Sequence, residues 1–145
     1  SSSTHGYNSN GSIPDRVTTV QKFAFASDGD ATNVGNTTSA ASYSAGISSA
    51  THGYTCGGNT PTPVNIIDRF AFASDGTATD VGDMTGTKEG PSGTSSTTHG
   101  YTAGGYEGPP GYNNVIDKFT YAATANSTDV GDLTGVTYVS VGSQV

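Results

Sequence analysis

A four-residue phrase, Thr-His-Gly-Tyr, occurs three times in this chain at intervals of 47 residues, beginning at Thr4, Thr51 and Thr98. An aromatic pair follows each copy: Phe23 and Phe25, Phe70 and Phe72, Phe119 and Tyr121. Internal repeats of 20 to 50 residues are typical of arrays in which each unit packs against the next. We therefore predict one repeat domain over residues 1–145, with units of about 1–47, 48–94 and 95–145.

The interval between the second and third aromatic pairs is 49 residues, so two residues are inserted within 105–114. An insertion there predicts a surface loop, since loops tolerate changes in length. The loop carries Tyr106 and Tyr112, and its shorter counterpart in the second unit begins at Asn59. Exposed tyrosines on variable loops suit the recognition of sugars or proteins. We predict Tyr106, Tyr112 and Asn59 as a candidate site for a glycan or a cell-surface ligand.

The composition favours thin layers of β-structure. Only 32% of the residues are hydrophobic, tryptophan is absent and 21 residues are glycine, a mixture rich in poor helix formers. Each unit offers four strand candidates, which in the second unit are 43–49, 52–56, 65–74 and 77–83; the last counterpart of the first is 139–145. Asp75-Gly76 predicts a tight hairpin turn, because glycine adopts positive φ at little cost.

Side-chain alternation along 66–73 predicts a sheet buried on both faces. One face carries Ile66, Asp68, Phe70 and Phe72, and the other carries Ile67, Arg69, Ala71 and Ala73. Both faces are largely apolar, whereas a strand with one face in water would alternate apolar and polar residues. We expect each sheet to pack between neighbouring sheets, large side chains against small ones.

Four strands in each unit, with a double glycine at Gly57-Gly58 and at Gly104-Gly105, resemble the kelch repeat, and Asn10-Gly11 is a degraded copy of that pair. Residues 67–70, Ile-Asp-Arg-Phe, match the kelch strand that follows. The usual tryptophan after the hairpin is missing, and valine stands in that region. The resemblance implies an all-β fold of kelch-like, four-stranded units, as β-propeller blades or as a stacked β-repeat assembly.

The combined phrase Thr-His-Gly-Tyr, Gly-Gly, Ile-Asp-Lys/Arg-Phe and Thr-Asp-Val-Gly-Asp-Leu/Met-Thr also resembles tandem repeats of virion and other structural proteins of marine phages and aquatic bacteria. This resemblance covers essentially the whole chain. It implies a non-enzymatic structural or adhesive module of a virion appendage or an extracellular fibre. The alternatives are a carbohydrate-binding, lectin-like propeller and, more distantly, a galactose-oxidase-like enzyme, which would need copper ligands and a Cys–Tyr crosslink.

The phase of the repeat predicts self-association. Both ends of the chain fall between the Ser/Gly-rich element and the Thr-His-Gly-Tyr element, so each end lies within a four-stranded unit. Three units are fewer than the four to eight blades of a typical propeller. Two copies could close a six-bladed ring, or successive copies could form an open filament. The third alternative is a piece of a longer repeat protein.

Charge argues against two other classes of partner. Five Lys and Arg stand against twelve Asp and Glu, for a formal net charge of −7. Nucleic-acid binding depends on clustered basic residues, and we expect none. No apolar run approaches the roughly 20 residues that span a bilayer, so we expect no membrane insertion.

Most side chains that could carry chemistry recur in two or all three units, which favours structural roles. His5, His52 and His99 would form a three-histidine metal site only if the fold brought them together. Calcium ligands could come from Asp28, Asp30, Asp75, Asp80 and Asp83. Paired acids could be Asp80 with Asp83 and Asp129 with Asp132, but turn bonding accounts for both patterns. The lone Cys56 aligns with serine and alanine, so we expect a small packed side chain. We predict no catalytic residue and no cofactor.

Overall fold

A computed structural model describes residues 1–109 and 111–142. Within these residues the chain is all-β, with eleven strands in three antiparallel sheets. Sheet I contains β1 (His5–Ser9), β2 (Thr19–Ala24) and β3 (Thr32–Asn36). Sheet II contains β4 (Ala45–Ser48), β5 (His52–Cys56), β6 (Ile66–Ala71) and β7 (Thr79–Asp83). Sheet III contains β8 (Ser92–Ser95), β9 (His99–Ala103), β10 (Val115–Thr120) and β11 (Thr128–Asp132).

Each sheet is an up-and-down meander, because strands adjacent in sequence are also hydrogen-bonded neighbours. The glycine of each Thr-His-Gly-Tyr phrase lies opposite the first phenylalanine of the aromatic pair, as in the pairing of Gly53 with Phe70. The aromatic ring covers the bare glycine backbone, and a Cβ built at Gly53 would lie 2.6 Å from Phe70 Cε2. This contact explains why the two motifs recur together in each unit.

Each double glycine forms a corner in the left-handed backbone conformation, directly after β5 or β9. Gly57 and Gly58 have φ of 65° and 111°, a region that side chains with a Cβ rarely adopt. In the first unit Asn10 takes the same place with φ of 63°, which asparagine tolerates better than most residues. The corner brings the Gly58 amide within 2.7 Å of the Lys88 carbonyl and so ties it to the segment after β7.

The prediction that a sheet is packed on both faces is confirmed for sheet II. On one face, Ile67 belongs to a buried cluster that includes Tyr54 of the same sheet and Phe119 of sheet III. On the other face, Phe70 belongs to a second cluster with Val20 of sheet I. The hydrophobic core therefore lies in two layers between three sheets, rather than in one central mass.

The predicted tight turn at Asp75-Gly76 is wrong. Residues 72–78 form a wider connection between β6 and β7, and Gly76 is not among the described glycines with positive φ. Asp75 and Gly76 instead contact sheet I, as described below. The predicted strand 65–74 is correspondingly shorter, ending at Ala71. Of the predicted strand 139–145, residues 139–142 are not assigned as a strand, and 143–145 lie outside the described residues.

Candidate functional site

The junctions between sheets repeat one set of contacts, and the first is aromatic. Ring centroids of Tyr7 in sheet I lie 5.6 Å from Phe70 and 4.7 Å from Phe72 in sheet II. One unit later, the ring of Tyr54 lies 5.3 Å from Phe119 and 5.1 Å from Tyr121 in sheet III. Sheets I and II thus each offer a tyrosine to the aromatic pair of the sheet that follows.

The second contact is made by backbone atoms. The Ala78 amide donates to the Asn36 carbonyl at 2.7 Å, and one unit later the Ser127 amide donates to the Asp83 carbonyl, also at 2.7 Å. Beside the first bond, Gly35 lies so close to the Gly76 carbonyl that a Cβ would overlap it. Gly82 lies equally close to the carbonyl of Ala125. Glycine is required at these positions by the approach of the next sheet.

The third contact is an ion pair, and within the described residues it is present only at the junction between sheets I and II. Lys22 Nζ lies 2.7 Å from Asp75 Oδ1, and this hydrogen bond is the main cause that raises the pKa of Lys22. At the next junction the same positions are Arg69 and Thr124, so the carboxylate is absent. An exposed pair of this kind adds little stability but does favour one register of packing.

A fourth contact links the segment after each third strand to a buried acid of the next sheet. Thr38 donates to Asp68 from its amide and its hydroxyl, both at 2.8 Å. Burial raises the pKa of Asp68, and these bonds from Thr38 oppose that shift. The next junction repeats the arrangement with Thr85, whose hydroxyl donates to Asp117 at 2.5 Å.

Asp117 is further held by a lysine that has no counterpart in the other units. Lys88 Nζ lies 2.9 Å from Asp117 Oδ2, and both side chains are fully buried. The Lys88 ammonium also donates to the Val115 carbonyl at 3.2 Å. The positions equivalent to Lys88 are Ala41 and Thr137.

At the two ends of the array the same surfaces are uncovered. We call the outer side of sheet I, with Phe23, Phe25, Asp28 and Gly29, the sheet I end face. Phe23 and Phe25 are 42% and 56% exposed, whereas Phe70, the counterpart of Phe23, is 8% exposed.

The outer side of sheet III is uncovered in the complementary way. We call this surface, with Tyr101, Lys118, Val130 and Gly131, the sheet III end face. Val130 is 47% exposed, whereas its counterpart Val81 is 7% exposed. A Cβ built at Gly131 would meet no atom within 4 Å, unlike one at Gly82.

The strand pairing is also incomplete at one end. β4 pairs with β5 and β8 with β9, but within the described residues no strand pairs with the equivalent edge of β1.

Beyond β11 the chain follows the same path as the linkers after β3 and β7. The Gly105 amide donates to the Thr137 carbonyl at 2.8 Å, and the Val139 amide donates to the Gly90 carbonyl at 2.9 Å. Gly142 then packs on the Gly93 backbone, as Gly93 packs on Gly46. Residues 139–142 therefore lie beside β8, as β8 lies beside β4.

The predicted loop residues are brought together on another surface. The rings of Tyr106 and Tyr112 lie 5.3 Å apart, and each also contacts the ring of Tyr138, at 6.2 and 5.4 Å. The Tyr138 hydroxyl donates to Glu89 Oε1 at 2.7 Å, and Asn59 Nδ2 donates to the other oxygen of Glu89. We call Tyr106, Tyr112 and Tyr138 with Glu89 the tyrosine cluster.

Sequence reasoning missed Tyr138 and Glu89. Glu89 and Tyr138 occupy the same position of the repeat, in the linker after the third strand of each sheet, and the first unit has Ser42 there. Because they lie outside the variable loops, the variation of those loops did not indicate them. The hydrogen bond to Glu89 raises the pKa of Tyr138 to about 12, because the carboxylate holds the phenolic proton. The hydroxyl of Tyr138 is therefore a fixed donor, and the Tyr112 ring, 54% exposed, is the accessible surface of the cluster.

The histidines do not form a metal site. Each ring bonds through Nδ1 to the hydroxyl of the threonine before it, at 2.8 Å in all three units. No group of three or more His, Cys, Asp and Glu placed to hold a metal ion occurs in residues 1–109 and 111–142.

Asp80, Asp129 and Cys56 have structural roles. Asp80 and Asp129 each accept the amide of the glycine two residues later at 3.0 Å, which is local turn bonding. Cys56 is a buried free thiol, and burial raises its pKa, so the unreactive thiol form is favoured.

Comparison with known proteins assigns no class. No protein-family model matches the chain, and no curated protein is significantly similar to it. In the described part of the chain no helix is long and apolar enough to cross a membrane.

Proposed function

We propose that this chain is a non-enzymatic structural or adhesive repeat module, whose sheets act as kelch-like propeller blades and whose end faces assemble with further copies. Its setting is a virion appendage or an extracellular fibre. The observation that carries the proposal is the exposure of Phe23 and Phe25, since their counterparts inside the array are covered by the preceding sheet.

Covering the sheet I end face and the open edge of β1 is expected to be favourable in free energy. Aromatic side chains exposed together on a regular sheet face form an apolar patch of the kind that marks interaction sites. The open edge of β1 adds unpaired backbone donors and acceptors, which are ready to accept another strand. A protein that exposes both features gains free energy by docking them against a complementary surface.

We expect the double variant Phe23→Ser, Phe25→Ser to weaken self-association by at least about tenfold in Kd, because it removes two aromatic anchors from the interface. Sedimentation equilibrium over a concentration series measures the change. The control is Ile13→Ser, which removes a 94% exposed apolar side chain from a loop outside either end face. A wild-type chain that stays monomeric at all concentrations would contradict the proposal.

The tyrosine cluster favours carbohydrate binding as a second candidate function. Three tyrosine rings and a carboxylate share one surface, and sugars bind by stacking on exposed aromatic rings beside hydrogen-bonding groups. The tyrosine cluster shares no residue with the two end faces defined above.

We expect Tyr112→Ala to abolish binding on a glycan array, because it removes the most exposed ring of the cluster. Tyr112→Phe is the matched control, since it keeps the ring and removes only the hydroxyl. Equal binding by the wild type and Tyr112→Ala would exclude the cluster as a glycan site.

A further inference from the structure

We infer that two copies of this chain dock head to tail in the register of the internal junctions and close a ring of six sheets. This inference rests on the proposed assembly function and specifies its interface. The sheet III end face of one copy meets the sheet I end face of the other, and the converse contact closes the ring. The internal junctions provide the template for each contact.

The aromatic contact transfers directly. Tyr101 is the counterpart of Tyr7 and Tyr54, and within the chain it has no following aromatic pair to cover. In the register of the internal junctions its ring packs against Phe23 and Phe25 of the second copy. The same docking places Val130 against that pair, as Val81 packs in a buried cluster with Phe119. The most exposed apolar groups of each face thus cover one another.

The backbone contact transfers as well. Gly131 takes the place of Gly35 and Gly82, and its open side accepts the carbonyl of Gly29 from the second copy. The neighbouring hydrogen bond runs from the Ala31 amide of the second copy to the Asp132 carbonyl, equivalent to Ala78 and Asn36. No side chain obstructs either position, since Gly131 and Gly29 have open space where a Cβ would stand.

Charge is complementary at the same junction. The ion pair of Lys22 with Asp75 has lost its acid at the second internal junction, where Thr124 replaces it. Between copies, the equivalent positions are Lys118 and Asp28 of the second copy, so the pair is restored. Opposite charges on the two end faces favour this register over other contacts between the same faces.

The free edge of β1 receives the last described segment of the second copy. In sheet II, Ala45 and Gly46 of the inner strand pair with Cys56 and Thr55. The same register places Val141 opposite Ser9 and Gly142 opposite Asn8 of the other copy. Sheet I thereby gains the fourth strand that sheets II and III already have.

The number of sheets sets the size of the ring. The described residues of each copy form three sheets, and closed propellers have about four to eight blades. Six is the only multiple of three in that range, so two copies close the ring. Because each copy presents one face of each kind, no uncovered end face remains.

A charge-reversal experiment tests this register. We expect Lys118→Asp and Asp28→Lys each to weaken association by at least about tenfold, because both junctions of the ring replace an attraction by a repulsion. An equimolar mixture of the two variants is expected to recover wild-type association. In the mixed ring one junction pairs Lys118 with Asp28 and the other pairs the two introduced residues with reversed charge.

Native mass spectrometry and sedimentation velocity read the result, and the expected mass is twice that of the 14.5 kDa chain. Asp15→Lys is the control, since it makes the same change of charge at an exposed loop outside the end faces. Recovery in the mixture also shows that the single variants are folded.

The outcomes separate this inference from the proposed function. Wild-type association that persists in both single variants overturns the register and leaves self-assembly standing. Masses that keep growing beyond two copies overturn the ring. A wild-type chain that is monomeric throughout overturns both the ring and the assembly function.

Discussion

Replacing Lys88 by methionine is expected to lower the free energy of unfolding by about 3–5 kcal/mol, because it leaves the buried Asp117 carboxylate without its counter-charge. Lys88 and Asp117 are both fully buried and 2.9 Å apart. The Thr85 hydroxyl, which also bonds Asp117, cannot neutralise a charge. The Val115 carbonyl loses a donor as well. Urea unfolding monitored by circular dichroism measures the loss.

Two control variants isolate the cost of the unpaired charge. The double variant Lys88→Met, Asp117→Leu removes both charges and is expected to recover most of the stability, since a buried pair can be replaced by apolar groups at little cost. Lys22→Met breaks the exposed pair with Asp75 and is expected to change stability far less. If Lys88→Met cost no more than Lys22→Met, the buried pair would not stabilise the fold.

Replacing Gly53 by valine is expected to lower the free energy of unfolding by about 3 kcal/mol, the upper end of the usual cost of overpacking a core. The new Cβ would lie 2.6 Å from Phe70 Cε2 and closer still to Cζ. The ring cannot turn away freely, because Phe70 is packed between sheets I and II beside Tyr7 and Val20. Thermal and urea unfolding both report the loss.

Gly46→Val is the matched control for this prediction. Gly46 lies in β4, beside β5, and a Cβ there would meet no atom within 4 Å. Valine also favours strands over glycine, so this variant is expected to be neutral or slightly stabilising. Equal losses at Gly46 and Gly53 would show that glycine is needed for backbone freedom rather than for the contact with Phe70.

Much of the all-β arrangement could be predicted, because it follows from local sequence. The spacing of the Thr-His-Gly-Tyr phrase and the aromatic pair sets which strands are neighbours, and the two apolar faces of 66–73 indicate packing on both sides. The wider connection at 72–78, in place of the predicted tight turn at Asp75-Gly76, could not be predicted. Asp75 and Gly76 contact sheet I, and a sequence does not reveal that a turn motif is engaged by a neighbouring sheet.

The candidate sites were predictable only in part. Tyr106, Tyr112 and Asn59 were recognisable because their loops vary, but Tyr138 and Glu89 join them through the stacking of successive linkers. The pairing of Lys88 with Asp117 is a departure from the repeat at one position. Repeat alignment emphasises what the units share and therefore conceals a buried pair that occurs once.

The glycines that separate the sheets have a consequence for how such proteins change over generations. At Gly35 and Gly82 the main-chain atoms of consecutive sheets lie in direct contact, so the spacing at these points does not depend on the size of a side chain. A gene duplication that adds one unit would add one sheet at the same pitch and orientation. The number of units, rather than the identity of their side chains, would then decide whether a chain closes on itself or requires a second copy.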